Sequence, residues 1–196
     1  MAVQLGPFSL DRMVRSMERV KERLSRAAAA LNAAGIPYAV IGGNAVASWV
    51  ARVDPAGVRN TADVDLLLRR EDLELAGRAL QAAGFVPHEV LGVTMFLDGI
   101  QGGPRDALHI LLAGEMVRDN DLGPNPDVTE SIVAESSYRI LDLEALVRMK
   151  LISFRVKDRM HLIDLVEIGL VDQSWVAKYP PPIGERLQQI IDNPNG

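Results

Sequence analysis

The sequence predicts an α+β protein in which short strands lie between helices at the two ends of the chain. Apolar residues recur at helical spacing near the N-terminus, short β-rich runs alternate with glycine turns in the middle, and helical patterns return from residue 142. The 196 residues are 48% hydrophobic and 24% charged, which is an ordinary globular balance. We therefore expect one core with a helical appendage.

Composition excludes several classes of protein. The chain has no cysteine, which excludes disulfides and thiolate metal sites and favours a reducing cytosol. No apolar run reaches the roughly 18 residues of a membrane span, and the N-terminus lacks the pattern of a secretion signal. We therefore expect a cytoplasmic protein without a membrane partner. The net charge of -5 argues against a broad surface for duplex DNA.

The first two predicted elements are a helix and a strand–turn–helix unit. The helix runs from Ser9, a candidate N-cap, to Ala34 and stops at Gly35. Next, residues 37–41 form a strand that enters Gly42-Gly43 and then a helix at 44–51. Glycines are common in tight turns, but the free N–H groups of a helix start also bind phosphate.

The next predicted strand, residues 63–68, carries two carboxylates on one face. Asp63 and Asp65 stand roughly 7 Å apart at the backbone, from a rise of about 3.3 Å per residue. Two ionised carboxylates on an otherwise apolar strand repel each other, and a divalent ion such as Mg²⁺ relieves that repulsion. The alternative is an exposed edge on which both residues face water.

The remaining elements follow from the same patterns. They are a helix at 71–83, strands at 85–90, 93–97 and 106–112, a surface excursion at 119–126, and helices at 142–154, 157–168 and 183–191. Asp106 begins one of these strands, so it could supply the third carboxylate of a two-metal site. The alternative is a solvent-facing turn residue. His109 points to the opposite face from Asp106 in a regular strand and is interpreted as structural.

Together these motifs resemble the DNA polymerase beta-like nucleotidyltransferase superfamily. More narrowly, they resemble the small bacterial nucleotidyltransferases that include AbiEii-type toxins and antibiotic-modifying enzymes. The residues that carry the resemblance are Gly42, Gly43, Arg59, Thr61, Asp63, Asp65 and Asp106. The resemblance covers about residues 36–118 and departs from the superfamily at Gly43-Asn44, where a serine is common.

The resemblance implies a nucleotidyltransferase-like core with a mixed β-sheet flanked by helices. It divides the chain into an N-terminal helix (1–35), the core (36–118), a linker (119–139) and a C-terminal helical region (140–196). It assigns Asp63 and Asp65 to Mg²⁺ or Mn²⁺, and Asp106 to the metals and to activation of the acceptor hydroxyl. The residues it implies for the nucleotide and its phosphates are Gly42, Gly43, Asn44, Arg59, Thr61 and Lys150.

The C-terminal helices add a group of basic residues to this prediction. This region resembles the Lys-Leu and Arg-x-Lys-Asp segments that follow the core in this group of enzymes, which implies that Lys150 is a phosphate ligand assisted by Arg155 and Lys157. The position of Lys150 in an apolar helical stretch favours that role. Asp158 or Asp164 would orient basic groups or cap helices. The alternative is a set of solvated helix faces with local charge pairs.

The predicted function is metal-dependent transfer of a nucleoside monophosphate from a nucleoside triphosphate to a hydroxyl, with release of pyrophosphate. RNA, a protein side chain and a small molecule all fit as acceptor, and a toxin role would imply an antitoxin partner. One alternative is an inactive nucleotide-binding or regulatory module of the same fold. Another is an interaction protein that uses the helix at 9–34 as its contact surface.

Overall fold

The structure is a computed structural model that describes residues 7–59, 61–90, 92–134 and 137–193, with all side chains there except those of residues 7–10, 12, 13 and 105. The helices are α1 Pro7–Ala33, α2 Gly42–Val50, α3 Leu73–Ala82, α4 Leu143–Ser153, α5 Val156–Glu167 and α6 Pro181–Asp192. The strands are β1 Ala39–Ile41, β2 Val64–Leu68, β3 Phe85–Val90, β4 Val93–Asp98, β5 Ala107–Leu112, β6 Ser131–Val133 and β7 Arg139–Leu141. Short 3₁₀ turns lie at Arg70–Asp72, Pro104–Asp106 and Gln173–Lys178.

The strands form one mixed sheet in the order β3-β4-β5-β2-β1-β7-β6. β2 runs parallel to β5 and β1 parallel to β7, and the other neighbouring pairs are antiparallel. The predicted α+β class, with its mixed sheet, N-terminal helix and C-terminal helical tail, is confirmed.

Several predicted helix and strand starts are shifted by one or two residues, and two of these shifts change the role assigned to a residue. α1 already begins at Pro7, so Ser9 lies inside the helix and is not its N-cap. Proline suits the first turn of a helix because its missing N–H would have no partner there. Asp106 ends a 3₁₀ turn and β5 begins one residue later, at Ala107. The predicted helix stop at Gly35 is confirmed by its φ of +66°.

Strands β6 and β7 were not predicted, because three-residue strands are too short to show an alternating pattern. They form a hairpin that joins the sheet through the parallel pairing of Val40 with Ile140. The segment interpreted as a linker, 119–139, therefore contributes a strand to the sheet. The division of the chain into four segments stays a prediction.

Helices cover both faces of the centre of the sheet. Val64, Leu66, Leu67 and Leu68 of β2 are all fully buried. Helices α1 and α3 pack on one face, while α2, α4 and α5 gather beside the face that carries Asp65. Among the helices of the described ranges, none combines the length and apolar character that crossing a bilayer requires.

Candidate nucleotide and metal site

The turn from β1 into α2 lies directly against Asp65. The two strands are antiparallel and pair Ile41 with Asp65, which brings the following residue, Gly42, over that carboxylate. A Cβ on Gly42 would lie 1.9 Å from Asp65 Oδ2, and Gly42 has a φ of +65°. Only glycine fits, because it has no Cβ and reaches positive φ without strain. The structure thus brings together the glycine turn and one member of the carboxylate pair.

The next two residues, in the first turn of α2, contact the segment that leads into β2. A Cβ on Gly43 would lie 2.9 Å from Thr61 Cβ, so Thr61 packs against the start of α2. The Asn44 side chain donates its Nδ2 hydrogen to the Asp63 carbonyl oxygen at 2.6 Å. Its amide therefore anchors the backbone of Asp63. No side chain among the described residues caps the start of α2, which leaves its first N–H groups available to an anion.

A basic side chain lies beside each carboxylate of the pair. Lys157 Nζ lies 3.0 Å from Asp63 Oδ2, and His109 Nδ1 lies 3.6 Å from Asp65 Oδ1. The neighbouring Asp65 carboxylate raises the pKa of His109 above its ordinary value, against the opposing effect of burial. Lys157, together with His109 in its protonated form, therefore relieves the mutual repulsion expected from the sequence.

Asp106 does not join the pair. Its Oδ1 accepts a hydrogen bond from Arg23 Nη2 at 3.0 Å, and its side chain is 62% exposed. The residue of β5 that faces Asp65 is His109, because the parallel register pairs these two residues. Across the described part of the chain, no three His, Cys, Asp or Glu side chains are grouped closely enough to hold a metal ion.

A cavity of about 250 Å³ opens beside this centre, between the strand ends and helices α4 and α5. We call it the first cavity. Its basic residues are Arg118, Lys150, Arg155, Lys157 and His161. Its acidic residues are Asp63, Asp65, Asp121 and Asp158. Basic side chains from the C-terminal helical region thus face the carboxylate pair across the first cavity. This arrangement suits a ligand that is itself highly charged.

The buried carboxylate of Asp158 organises the cationic wall of the first cavity. Asp158 is 1% exposed and accepts hydrogen bonds from Lys150 Nζ at 3.0 Å, Ser153 Oγ at 2.7 Å and Arg155 Nε at 2.7 Å. Burial alone would raise the pKa of Asp158, but these three partners outweigh it and hold that pKa well below its usual range. Lys150, itself 5% exposed, has further N–H donors beside the cavity.

A second cavity, of about 330 Å³, lies on the other side of the Asp63–Lys157 pair. Arg59 and Thr61 line it, and Arg59 Nη2 lies 2.9 Å from Asp164 Oδ1. His161 lines both cavities. Its Nδ1 is buried without a hydrogen-bond partner among the described groups, and burial with nearby Lys150 lowers its pKa to about 4.

The segment predicted as a surface excursion forms part of the first cavity. Asn125 is buried and donates its Nδ2 hydrogen to the Leu112 carbonyl oxygen at 3.0 Å. Its backbone also bonds to Gly114 and Glu115, which closes the loop between them. Val117, Arg118 and Asp121 on this loop line the cavity. Sequence reasoning missed these residues, because Asp, Asn, Gly and Pro indicate a loop without showing what it covers.

A mixed sheet, a glycine turn at a helix start and an Asp-x-Asp pair facing a cationic wall are typical of the nucleotidyltransferase class. Comparison with family models agrees with this classification. The chain belongs to the family described as "Uncharacterised nucleotidyltransferase", whose model matches residues 11–124. It is therefore a nucleotidyltransferase by family, and a nucleoside triphosphate is the implied substrate.

Comparison with curated proteins found no match. Among solved structures, the chain is similar to the solution structure of the antibiotic-resistance factor ANT(2'')-Ia, with TM-score 0.48 and 17% identity over 86% of this chain and 80% of that one. A crystal structure of ANT(2'')-Ia in complex with adenylyl-2''-tobramycin matches with TM-score 0.47 and 16% identity over 86% and 85%. An antigenic nucleotidyltransferase-like protein from Paracoccidioides brasiliensis matches with TM-score 0.48 and 15% identity over 90% and 87%.

Proposed function

We propose that the chain transfers a nucleoside monophosphate from a nucleoside triphosphate to a hydroxyl acceptor and releases pyrophosphate. The observation that carries this proposal is the close contact of Gly42 with Asp65, opposite the cationic wall of the first cavity. An anionic triphosphate between them would meet free N–H groups on one side and Lys150 and Arg155 on the other. The acceptor oxygen bonds to the α-phosphorus as the bond to pyrophosphate breaks.

The phosphate ligands we propose come from both cavities. The backbone N–H groups of Gly42, Gly43 and Asn44 would bind phosphate oxygens at the start of α2. From the first cavity, the negative charge of the triphosphate would be neutralised by Lys150, Arg155 and Lys157. From the second cavity, Arg59 and Thr61 would contact the triphosphate. Because Lys157 lines both cavities, it would move from Asp63 to the phosphates when the nucleotide binds.

The residues present fit a divalent metal ion. Asp63 and Asp65 supply the hard oxygen ligands that Mg²⁺ prefers, and Mg²⁺ at such sites takes one or two carboxylates together with substrate phosphates and water. Two protein ligands therefore suffice, and a site completed by the nucleotide is consistent with the lack of a three-ligand group among the described side chains. When bound, such an ion offsets phosphate charge and makes the acceptor hydroxyl easier to deprotonate.

The third position of the site is the part of the proposal that differs most from the sequence-based assignment. Because Arg23 holds Asp106 outside the cavity, we assign this position to His109. Its ring would orient the Asp65 carboxylate, and a carboxylate of the pair would take the hydroxyl proton. Replacing His109 with Asp would add a third carboxylate and should tighten Mn²⁺ binding, whereas His109→Asn should not.

A nucleotide-binding or regulatory module that transfers nothing is the second candidate. The ion pair of Lys157 with Asp63 favours it, because a lysine already occupies one proposed metal ligand. The narrower resemblance to AbiEii-type toxins, an antitoxin partner and a cytoplasmic location stay predictions.

The test is label transfer and pyrophosphate release with each of four α-labelled nucleoside triphosphates, in Mg²⁺ or Mn²⁺. Total RNA, a protein mixture and a panel of hydroxyl-bearing small molecules serve as acceptors. Asp63→Asn and Asp65→Asn should each lower transfer at least about 100-fold, the scale of losing one group that stabilises transition-state charge. Glu74→Gln on the exposed surface of α3 is the control and should retain full transfer.

Metal-dependent nucleotide binding without transfer would favour the binding module. Absence of any nucleotide binding would contradict both candidates.

A further inference from the structure

Arg23 of α1 places one buried guanidinium between three segments of the chain. Its side chain is 2% exposed. Nε donates to Asp98 Oδ2 at 3.1 Å, Nη1 to the Ala62 carbonyl oxygen at 3.4 Å, and Nη2 to Asp106 Oδ1 at 3.0 Å. All three nitrogens of the guanidinium are therefore engaged, each with a different acceptor.

These three acceptors lie at one edge of the sheet. Ala62 precedes Asp63 and the start of β2, Asp106 directly precedes β5, and Asp98 ends β4. β2 and β5 are parallel and β4 is antiparallel to β5, so two strand starts and one strand end meet at this edge. The carboxylate pair lies at the start of β2, and the residues that face it lie near the start of β5.

An apolar residue would suit the position of Arg23 on the buried face of α1, since Val20, Leu24 and Ala27 around it are buried. A buried cation is costly unless it is paired and fully hydrogen-bonded. Here the cost is offset because Asp98 and Asp106 both accept from it. A lysine could not make the same three hydrogen bonds, since an ammonium is a compact point charge whereas a guanidinium is a planar group with five donors.

A second arginine supports the same edge without reaching β2 or β5. Arg26 contacts Asp98 and its guanidinium carbon lies 4.5 Å from the centre of the Phe85 ring. Its hydrogen bonds go to Asp98 alone among the groups described. Arg26 is therefore a natural comparison for Arg23, because it shares the helix and one partner but contacts neither Ala62 nor Asp106.

We propose that Arg23 is a positioning residue for the nucleotidyl transfer, an inference that rests on the proposed function. It acts from the face of the sheet opposite the first cavity and lines neither the first nor the second cavity. By holding Ala62 and Asp106 on one rigid group, it sets the starts of β2 and β5 relative to each other, and thereby Asp63, Asp65 and His109. Asp106 contributes to the site through Arg23.

The experiment measures local order and ligand binding separately in Arg23→Met, Arg23→Lys, Arg26→Met and Asp106→Asn. Hydrogen exchange reports the amides of residues 62–66 and 107–111, and Mn²⁺ titration with and without ATP reports the site. Leu187→Ala, in the buried face of α6, is the control for a general loss of stability. It is compared with Arg23→Met at urea concentrations chosen so that the same fraction of each variant is unfolded.

We expect Arg23→Met to speed exchange at both strand starts at least about 10-fold, the equivalent of losing one hydrogen bond to a charged group. It should weaken binding of Mn²⁺ with ATP by a similar factor. Arg23→Lys should recover little of either loss, and Arg26→Met should leave both readouts near wild type. Asp106→Asn should give a change between those of Arg26→Met and Arg23→Met in both hydrogen exchange and Mn²⁺ binding. Because the Asp106 side chain is exposed, this variant should still fold.

The proposal is overturned if wild type binds Mn²⁺ with ATP and Arg23→Met or Asp106→Asn leaves that affinity unchanged. It is also overturned if Leu187→Ala lowers the affinity as much at matched stability. A wild-type protein that binds no Mn²⁺ with ATP, or with the other three nucleotides, would instead overturn the proposed function, whatever the exchange pattern.

Discussion

Lys157 of α5 lies with its Nζ 3.0 Å from Oδ2 of Asp63, the residue directly before β2. The two side chains are 54% and 39% exposed, and both line the first and the second cavity. A metal ion would compete with the lysine for the carboxylate, and a phosphate would compete with the carboxylate for the lysine. On the proposed function, binding of the metal ion or the nucleotide must therefore open this ion pair.

Lys157→Gln should change metal binding and nucleotide binding in opposite directions. Without nucleotide, Mn²⁺ should bind about 1.5- to 5-fold more tightly, because an exposed ion pair is worth about 0.2–1 kcal/mol. With ATP present, the affinity for Mn²⁺ with ATP should fall, because Lys157 is a proposed phosphate ligand. Mn²⁺ titration followed by electron paramagnetic resonance measures both. Lys178→Gln, which breaks the exposed pair with Glu144, should change neither.

Unchanged Mn²⁺ affinity in Lys157→Gln would show that Asp63 is not a metal ligand.

Gly42→Ala should destabilise the protein more than Gly35→Ala. Both glycines have nearly the same positive φ, +65° and +66°, so both changes carry the backbone cost of about 1–2 kcal/mol. A Cβ on Gly35 would meet no atom of the described residues within 4 Å, whereas one on Gly42 would collide with Asp65 Oδ2. The difference in unfolding free energy between the two variants therefore measures this collision. If urea denaturation gives the same loss of unfolding free energy for both variants, the Asp65 side chain moves away from the added Cβ without cost.

Asp158→Asn should cost about 3–5 kcal/mol of unfolding free energy, because it leaves the buried ammonium of Lys150 without its counter-charge. The double variant Lys150→Met with Asp158→Leu should recover most of that loss, since an apolar pair of similar volume replaces a buried ion pair at little cost. Nucleotide binding should not recover, because Lys150 is a proposed phosphate ligand. Urea denaturation and ATP titration of the three proteins test this.

A double variant that regains stability and also binds ATP normally would exclude Lys150 from the nucleotide site.

Stability should fall between pH 6.5 and pH 4 because of His161. Burial, Lys150 and Lys157 lower its pKa to about 4 in the folded protein, with Asp158 opposing and Arg59 adding to the effect. In this window the unfolded chain binds a proton that the folded protein does not, so the free energy of unfolding decreases as pH falls. The limit is about 3 kcal/mol, at 1.36 kcal/mol per pKa unit.

His161→Gln should flatten this part of the pH profile in urea unfolding. His109 does not interfere, because its pKa is raised by Asp65. Its stabilising contribution is complete below pH 6.5 and is lost as pH rises through the folded value. A variant profile as steep as that of wild type between pH 6.5 and 4 would contradict the assignment to His161.

The local parts of the site could be predicted from the sequence, because each depends on a few consecutive residues. Glycines between a strand and a helix predict a tight turn, and Asp63 and Asp65 share a face through the two-residue period of a strand. The nucleotidyltransferase class and the α+β fold followed from these motifs and are confirmed. The short strands β6 and β7 left no such pattern.

The tertiary structure decided how distant segments meet. Asp106 and His109 differ by three positions, yet the parallel register of β2 with β5 faces His109 toward Asp65 and leaves Asp106 to Arg23. Single residues of β5 do not show which residue of β2 they will oppose, because register depends on the packing of the whole sheet. Helical periodicity likewise does not show which charged residue is buried, as Arg23 and Asp158 are, because burial depends on partners far away along the chain.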